Sequence, residues 1–108
     1  MKLEGEPAVT DWSNVPPVEQ SGEAGGAIAR THQFGDVQLR RVSYRPNYIA
    51  DHWCQKGHIV FVLDGQLTIE HENGRRYELA PGMSYHVGDH SSPHRVISKN
   101  GASLFIVD

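Results

Sequence analysis

Residues 59–74 read IVFVLDGQLTIEHENG, and this stretch decides the fold class. It contains two runs rich in β-branched and apolar residues, which are joined by Asp64-Gly65 and followed by Asn73-Gly74. Asp-Gly and Asn-Gly pairs between such runs are the strongest short-range signals for β-hairpin turns. The stretch therefore predicts successive antiparallel strands that turn back at these two pairs.

Similar short runs recur on both sides of this stretch, each bounded by Gly, Pro, Asn or Asp. The further predicted strands cover residues 27–34, 37–44, 75–79, 83–87, 95–98 and 103–107. No stretch of helix length repeats its apolar residues with a helical period. About eight or nine short strands in so small a chain predict an all-β, antiparallel sandwich or barrel.

Residues 1–26 differ from the rest of the chain. Pro7, Pro16 and Pro17, together with several glycines, interrupt any regular period, so we expect an extended, irregular N-terminal arm. Its apolar residues, among them Trp12, indicate that the arm lies on a surface. Residues 27–108 are expected to form one barrel domain, because 108 residues suffice for a single modest core.

The composition excludes several classes of function. Hydrophobic residues make up 38% of the chain and charged residues 21%, which is typical of a soluble globular protein. A net charge of −3 with scattered Lys and Arg argues against nucleic-acid binding. No apolar run resembles a signal peptide or a membrane span. Cys54 is the only cysteine, so an intrachain disulfide is impossible, which favours a reducing cytoplasm.

The run at residues 59–63 is apolar at every position, so both faces of this strand are apolar. One face can fill the barrel. The other face must be covered by a second sheet, by the arm or by another subunit. A homodimer is therefore expected.

Six of the seven histidines lie within residues 52–94. On a strand, His52 and Cys54 would point to the same face because side chains alternate with a period of two. His58 has the same parity, and Gly57 before it can form a bulge that redirects the chain. Imidazole and thiolate ligands that converge from one strand edge suit zinc, iron, nickel or copper.

These residues resemble the motifs of the cupin family. Its first motif has His-x-His, three or four residues, a Glu, six residues and a Gly; residues 52–65 have the same spacing, with Cys54 and His58 at the second and third ligand positions. Residues 82–94 resemble the second motif, a Gly-led strand, a turn and a His, with one extra turn residue and without the usual later Asn. The run at residues 51–54 also resembles the small bacterial subgroup of Asp-His-Cys-Trp (DHCW) motif cupins.

The resemblance implies a cupin-type double-stranded β-helix, a jelly-roll barrel with a metal ion in its mouth. The implied metal ligands are His52, Cys54, His58 and His94. Three His and a thiolate leave a divalent ion with a charge of about +1, the same as the family's three His and a Glu. A thiolate shifts the metal preference towards zinc, with iron, nickel or copper as alternatives.

Other residues are candidates for the pocket around the metal. Asp51 could orient a ligating imidazole, Lys56 and Arg95 could hold an anionic group, and His86 could face the cavity. Each also has a structural interpretation, as a packed aromatic or a solvated charge. His32 and His71 are expected on strand surfaces and His90 in a turn. The aromatic candidates for the pocket walls are Tyr44, Tyr48, Trp53 and Tyr85.

Three classes of function stay open at this point. The first is a metal-dependent enzyme, for which the resemblance implies an oxygenase, isomerase or lyase that acts on a small molecule. The second is a metal-dependent binding or sensor module for a small-molecule ligand. The third is a structural zinc site, closed by four protein ligands. No general base is recognisable apart from the implied ligands, so the catalytic residues are unknown.

Overall fold

The computed structural model describes residues 2–108, whose regular structure is almost entirely β. One 3-10 turn covers Trp12–Asn14, and within residues 2–108 no helix is long and apolar enough to span a membrane. The strands are β1 (Val18–Ser21), β2 (Gly26–Phe34), β3 (Val37–Tyr44), β4 (Tyr48–Ile49), β5 (His58–Gly65), β6 (Leu67–His71), β7 (Arg76–Leu79), β8 (Ser84–Val87), β9 (His94–Ser98) and β10 (Ala102–Val107).

The strands form two antiparallel sheets. The larger sheet has the order β1-β2-β3-β10-β5-β8 and the smaller one β4-β9-β6-β7. Strand β10 lies between β3 and β5, and β9 lies between β4 and β6, so the last two strands each complete a sheet begun by earlier ones. This arrangement confirms the predicted all-β, antiparallel jelly-roll barrel.

The hydrophobic core lies between the two sheets. Along β5 and β10 every second residue points inward, and Val60, Val62 and Leu104 are at most 3% exposed. In the smaller sheet, burial along β6 also alternates every two residues, and Leu67 and Ile69 point into the core. Regular alternation over these three strands thus gives one continuous core in which the ends of β5 and β9 are held rigidly.

The prediction of a hairpin at Asp64-Gly65 is wrong, because β5 and β6 lie in different sheets. Both edges of β5 are already paired, one with β8 and the other with β10. The chain instead bends at Gly65, where φ is 76° and a Cβ would lie 2.3 Å from the Gly101 carbonyl oxygen. The turn predicted at Asn73-Gly74 is confirmed, since β6 and β7 form an antiparallel hairpin there.

The N-terminal arm lies against the outer face of the larger sheet. The Trp12 ring packs edge-to-face on Phe105, with 6.2 Å between centroids, and the Arg30 guanidinium donates to the Trp12 carbonyl oxygen at 3.0 Å. Within the arm, β1 adds an edge strand to β2. Neither β1 nor β4 was expected from the sequence, since β1 is short and lies between Pro17 and Gly22, and β4 has only two residues.

We expect Leu104→Ala to lower the free energy of unfolding by about 2–5 kcal/mol, because it leaves a cavity at a fully buried position. Urea denaturation followed by circular dichroism would measure this change. Leu3→Ala is the matched control, because Leu3 is 66% exposed and its truncation should cost less than about 0.5 kcal/mol. Equal losses in the two variants would contradict the core described above.

Candidate metal centre

Three potential metal ligands meet where the two sheets come together at one end of the barrel. They are Cys54, His58 and His94, and their ligand atoms all lie within 4.8 Å of one another. His58 begins β5 of the larger sheet, and His94 begins β9 of the smaller one. Cys54 joins them through an isolated bridge to His94, with main-chain hydrogen bonds of 2.7 and 3.0 Å. Both sheets therefore contribute ligands on well-supported backbone.

His94 is held in the tautomer that a metal ligand needs. Its Nδ1–H donates to the Ser92 carbonyl oxygen at 2.9 Å, which leaves Nε2 unprotonated in the neutral ring. Nε2 is buried and has no hydrogen-bond partner within residues 2–108. Burial lowers the pKa of His94. The hydrogen bond to the Ser92 carbonyl oxygen opposes this shift only in part. A neutral imidazole thus presents a free lone pair to Cys54 and His58.

His58 is held in a similar way, but by a carboxylate. Its Nδ1 lies 3.0 Å from Oδ2 of Asp108, and that oxygen also accepts from Arg40 Nη2 at 2.8 Å. Burial alone would raise the pKa of Asp108, but the hydrogen bonds and charges of His58 and Arg40 outweigh it and lower that pKa. An ionised carboxylate can only accept, so His58 donates from Nδ1 and keeps Nε2 free.

The third donor is the sulfur of Cys54. It lies 3.5 Å from Nε2 of His58, and the main-chain N–H of Lys56 donates to it at 3.4 Å. One sulfur and two imidazole nitrogens make a borderline-soft donor set, which suits zinc and the later first-row transition metals. The donors, their spacing and the unpartnered Nε2 of His94 fit a metal ion with three protein ligands.

A cleft of about 1020 Å³ opens beside this group, and its lining includes His58, Tyr85 and Asp108. Two further polar side chains, His71 and Ser92, form part of its wall. His71 bonds the Tyr85 hydroxyl through Nε2 at 2.7 Å and the Ser92 hydroxyl through Nδ1 at 2.9 Å. The cleft is large enough for a small organic molecule.

His71 was expected on a strand surface, and the structure corrects this, because its side chain is buried. It shares the inward face of β6 with Leu67 and Ile69, and its cross-strand partner is His94. Burial lowers the pKa of His71, and it raises the pKa of Tyr85 to about 12. Both groups are therefore neutral near pH 7 and can act as hydrogen-bonding groups in the wall.

The structure does not bring His52 to the other three ligands. Its side chain is 75% exposed, and Nδ1 pairs with Asp51 Oδ1 at 2.6 Å. That bond is the main reason why the pKa of Asp51 is lowered. Residues 51–57 form bends and one bridge rather than a strand, so the parity that placed His52 beside Cys54 does not hold here.

The other predicted pocket residues divide into two groups. Lys56, Tyr85 and His86 line the cleft. The remaining candidates lie outside its lining. Tyr44 and Tyr48 pack on each other with 4.5 Å between ring centroids, and the Arg95 guanidinium lies 4.6 Å from the Trp53 ring centroid. These contacts are structural packing.

His32 lies on β2, and His90 is exposed in a turn with φ of 56°.

Asp108, Arg40 and Ser92 were not among the site residues predicted from the sequence. Asp108 lies 50 residues from His58, and Arg40 lies 68 residues from Asp108. No local spacing indicates such contacts. For His71 a signal was present, since it continues the inward series of Leu67 and Ile69.

Comparison with protein families gives one clear match: the sequence model described as "Cupin domain" matches residues 41–108. The matched segment contains all three grouped ligands and Asp108. No curated protein sequence gives a significant match to the chain.

Several solved structures share the fold. A predicted oxalate decarboxylase from Thermotoga maritima has a TM-score of 0.77 and 14% identity, over 93% of this chain and 96% of that one. The polyketide cyclase RemF from Streptomyces resistomycificus has a TM-score of 0.76 and 18% identity, over 94% of this chain and 78% of that one. Fe(II)-HppE with the alternative substrate (S)-1-HPP has a TM-score of 0.78 and 16% identity, over 99% of this chain and 62% of that one. At these identities the similarity shows a common fold.

The metal-free protein should lose stability as the pH falls from about 7.5 to about 5.5. Burial holds the pKa values of His71 and His94 below their ordinary value of 6.5, so the unfolded chain binds protons in this range that the folded chain does not. Urea unfolding at the two pH values measures the effect, and His71→Gln should reduce it. A free energy of unfolding that is equal at both pH values would contradict this account.

Proposed function

The chain belongs to the cupin family, and on this premise we propose that it binds one divalent transition metal through Cys54, His58 and His94. The metal would be presented to a small molecule in the adjoining cleft. The observation that carries the proposal is the buried, unpartnered Nε2 of His94, directed into a group whose ligand atoms lie within 4.8 Å. A buried nitrogen without a partner costs about 1–3 kcal/mol, which a bound metal would offset.

Zinc is the ion we propose, because one thiolate and two neutral imidazoles form a donor set that zinc prefers. Iron, nickel and copper accept the same donors and are the alternatives. The Fe(II) form of HppE, which shares this fold, supports a first-row metal in general. The hard ions magnesium and calcium are disfavoured, because only Cys and His donate at the site.

Three protein ligands favour an open site over a structural one, since a structural zinc site is closed by four. A bound metal of this kind supplies a Lewis acid with a free coordination position. The chain's own residues would orient the small molecule there. His71 and Tyr85 offer neutral polar groups, and Lys56 and His86 line the same cleft. This geometry serves an oxygenase, isomerase or lyase, and equally a metal-dependent binding or sensor module.

We also propose a homodimer that buries the outer face of β5. Ile59, Phe61 and Leu63 are 46%, 37% and 44% exposed, and Met83 beside them is 48% exposed. Four large apolar side chains on one face favour association with a second copy. A cytoplasmic location accords with the single thiol, Cys54, which must stay reduced in order to bind metal.

Protein purified without an affinity tag should contain about one equivalent of metal per chain by elemental analysis. Cys54→Ser and His94→Ala should each lose most of it, because each removes one of three grouped donors. His32→Ala is the matched control, since it removes an imidazole on β2 and should keep full metal content. Stoichiometric metal in both ligand variants would refute the proposed site.

His52→Ala decides whether the predicted fourth ligand takes part. We expect its metal content to equal that of the wild type, because the His52 side chain is exposed and pairs with Asp51. A loss as large as that of His94→Ala would show that residues 51–57 rearrange and bring His52 to the metal.

Light scattering after size-exclusion chromatography should give twice the mass of one chain. Phe61→Glu should convert the dimer to monomers, because a carboxylate cannot be buried in an apolar interface without a partner. Val18→Glu is the control, since Val18 is 58% exposed on the edge strand β1, away from this face. A wild-type protein that is monomeric at high concentration would refute the dimer.

A further inference from the structure

We propose that Asp108 is a positioning residue of the metal site, which holds His58 in the tautomer and orientation that present Nε2 beside Cys54 and His94. Arg40 in turn holds Asp108 in place. This inference rests on the proposed function, because it assigns a role towards the proposed metal. It concerns residues outside the family motifs quoted above, and it follows from the contacts of a single buried carboxylate.

The position of Asp108 is fixed by its backbone and by its side chain. Its main-chain N–H donates to the Gln38 carbonyl oxygen at 3.0 Å, and the Gln38 N–H donates to the Asp108 carbonyl oxygen at 2.5 Å. These bonds extend the pairing of β10 with β3. Two residues further along β3, Arg40 donates to Oδ2 at 2.8 Å. The carboxylate is therefore held by the sheet, at the edge of the metal site.

This carboxylate decides which nitrogen of His58 is free. The distance of 3.0 Å from Nδ1 to Oδ2 requires a proton on Nδ1, because an ionised carboxylate only accepts. The lone pair then lies on Nε2, the nitrogen 3.5 Å from the Cys54 sulfur. Metal-binding histidines commonly donate their other ring N–H to a carboxylate in this way, and the contact both fixes the ring and strengthens its donor nitrogen.

The burial of Asp108 points to a positive charge beyond Arg40. The Asp108 side chain is only 2% exposed, and its Oδ1 has no hydrogen-bond partner within residues 2–108. A purely structural ion pair would be expected to satisfy both carboxylate oxygens, because an unpartnered buried oxygen costs free energy. A cation on Nε2 of His58 would lower that cost, since its charge acts on the carboxylate through the ring.

Asp108→Ala tests this role, because it removes Oδ2, the oxygen that accepts from both Nδ1 of His58 and Nη2 of Arg40. Without this acceptor the His58 ring can carry its proton on either nitrogen and can rotate. We expect this variant to bind Co²⁺ about 10- to 100-fold more weakly than the wild type, measured by titration of the metal-free proteins.

Asp36→Ala is the matched control, because Asp36 lines the same cleft and, within residues 2–108, makes no hydrogen bond or ion pair with the three ligands. Its Co²⁺ affinity and absorption spectrum should equal those of the wild type. Nitrogen-detected NMR of the metal-free proteins gives a second, metal-independent measurement. It should show Nδ1 of His58 protonated in the wild type and a proton shared between Nδ1 and Nε2 in Asp108→Ala, a change that is expected only if Asp108 sets the tautomer.

The outcomes separate this inference from the proposed function. Unchanged Co²⁺ affinity in a folded Asp108→Ala protein, or a wild-type His58 that lacks a proton on Nδ1, would overturn the role of Asp108. If Asp108→Ala does not fold, the wild-type tautomer alone decides the matter. If the wild type binds no Co²⁺, no Zn²⁺ and no Fe²⁺, the proposed metal site fails and the positioning role fails with it, while the NMR result still reports whether Asp108 sets the His58 tautomer.

Discussion

Two main-chain hydrogen bonds between Cys54 and His94, of 2.7 and 3.0 Å, join the irregular segment before β5 to the start of β9. They are the link at this end of the barrel on which the site depends. Without them the thiol would lie on a loop, and loops are mobile. With them the sulfur is held beside a strand of each sheet. The distances among the three ligands thus follow from how the two sheets meet.

The same end of the barrel concentrates buried polar groups that a core would normally exclude. His71, His94 and Asp108 are each at most 8% exposed, and two of their atoms, His94 Nε2 and Asp108 Oδ1, have no partner within the described chain. Most of the remaining core is aliphatic. Buried polar atoms without partners are expected where function requires them, and His94 Nε2 and Asp108 Oδ1 both lie at one group of ligands.

Local patterns in the sequence predicted every strand except β1 and β4, and they indicated Cys54 and His58 as metal ligands, whereas His94 was predicted from the resemblance to the cupin motifs. Burial alternates every two residues along β5, but residues 59–63 are apolar at every position, so the sequence did not show which face of this strand fills the core. The turn at Asp64-Gly65 was recognised as a turn, but turn residues do not specify which strand will pair, and β5 instead pairs with β8 and β10. Asp108 could not be found, because 50 residues separate it from His58 and only the sheet order brings them together.

The charge predicted for the metal site stays the same when His52 is left out of the ligand set. A divalent ion with one thiolate and neutral imidazoles keeps a charge of about +1, whether two or three imidazoles bind. Asp108 would neutralise this charge if it stood alone, but Arg40 is paired with it at 2.8 Å and cancels its contribution. Asp108 can therefore orient His58 without reducing the attraction of the metal for an anion. If the proposed metal is bound, an anionic oxygen atom of a small molecule in the cleft would therefore meet a positive centre.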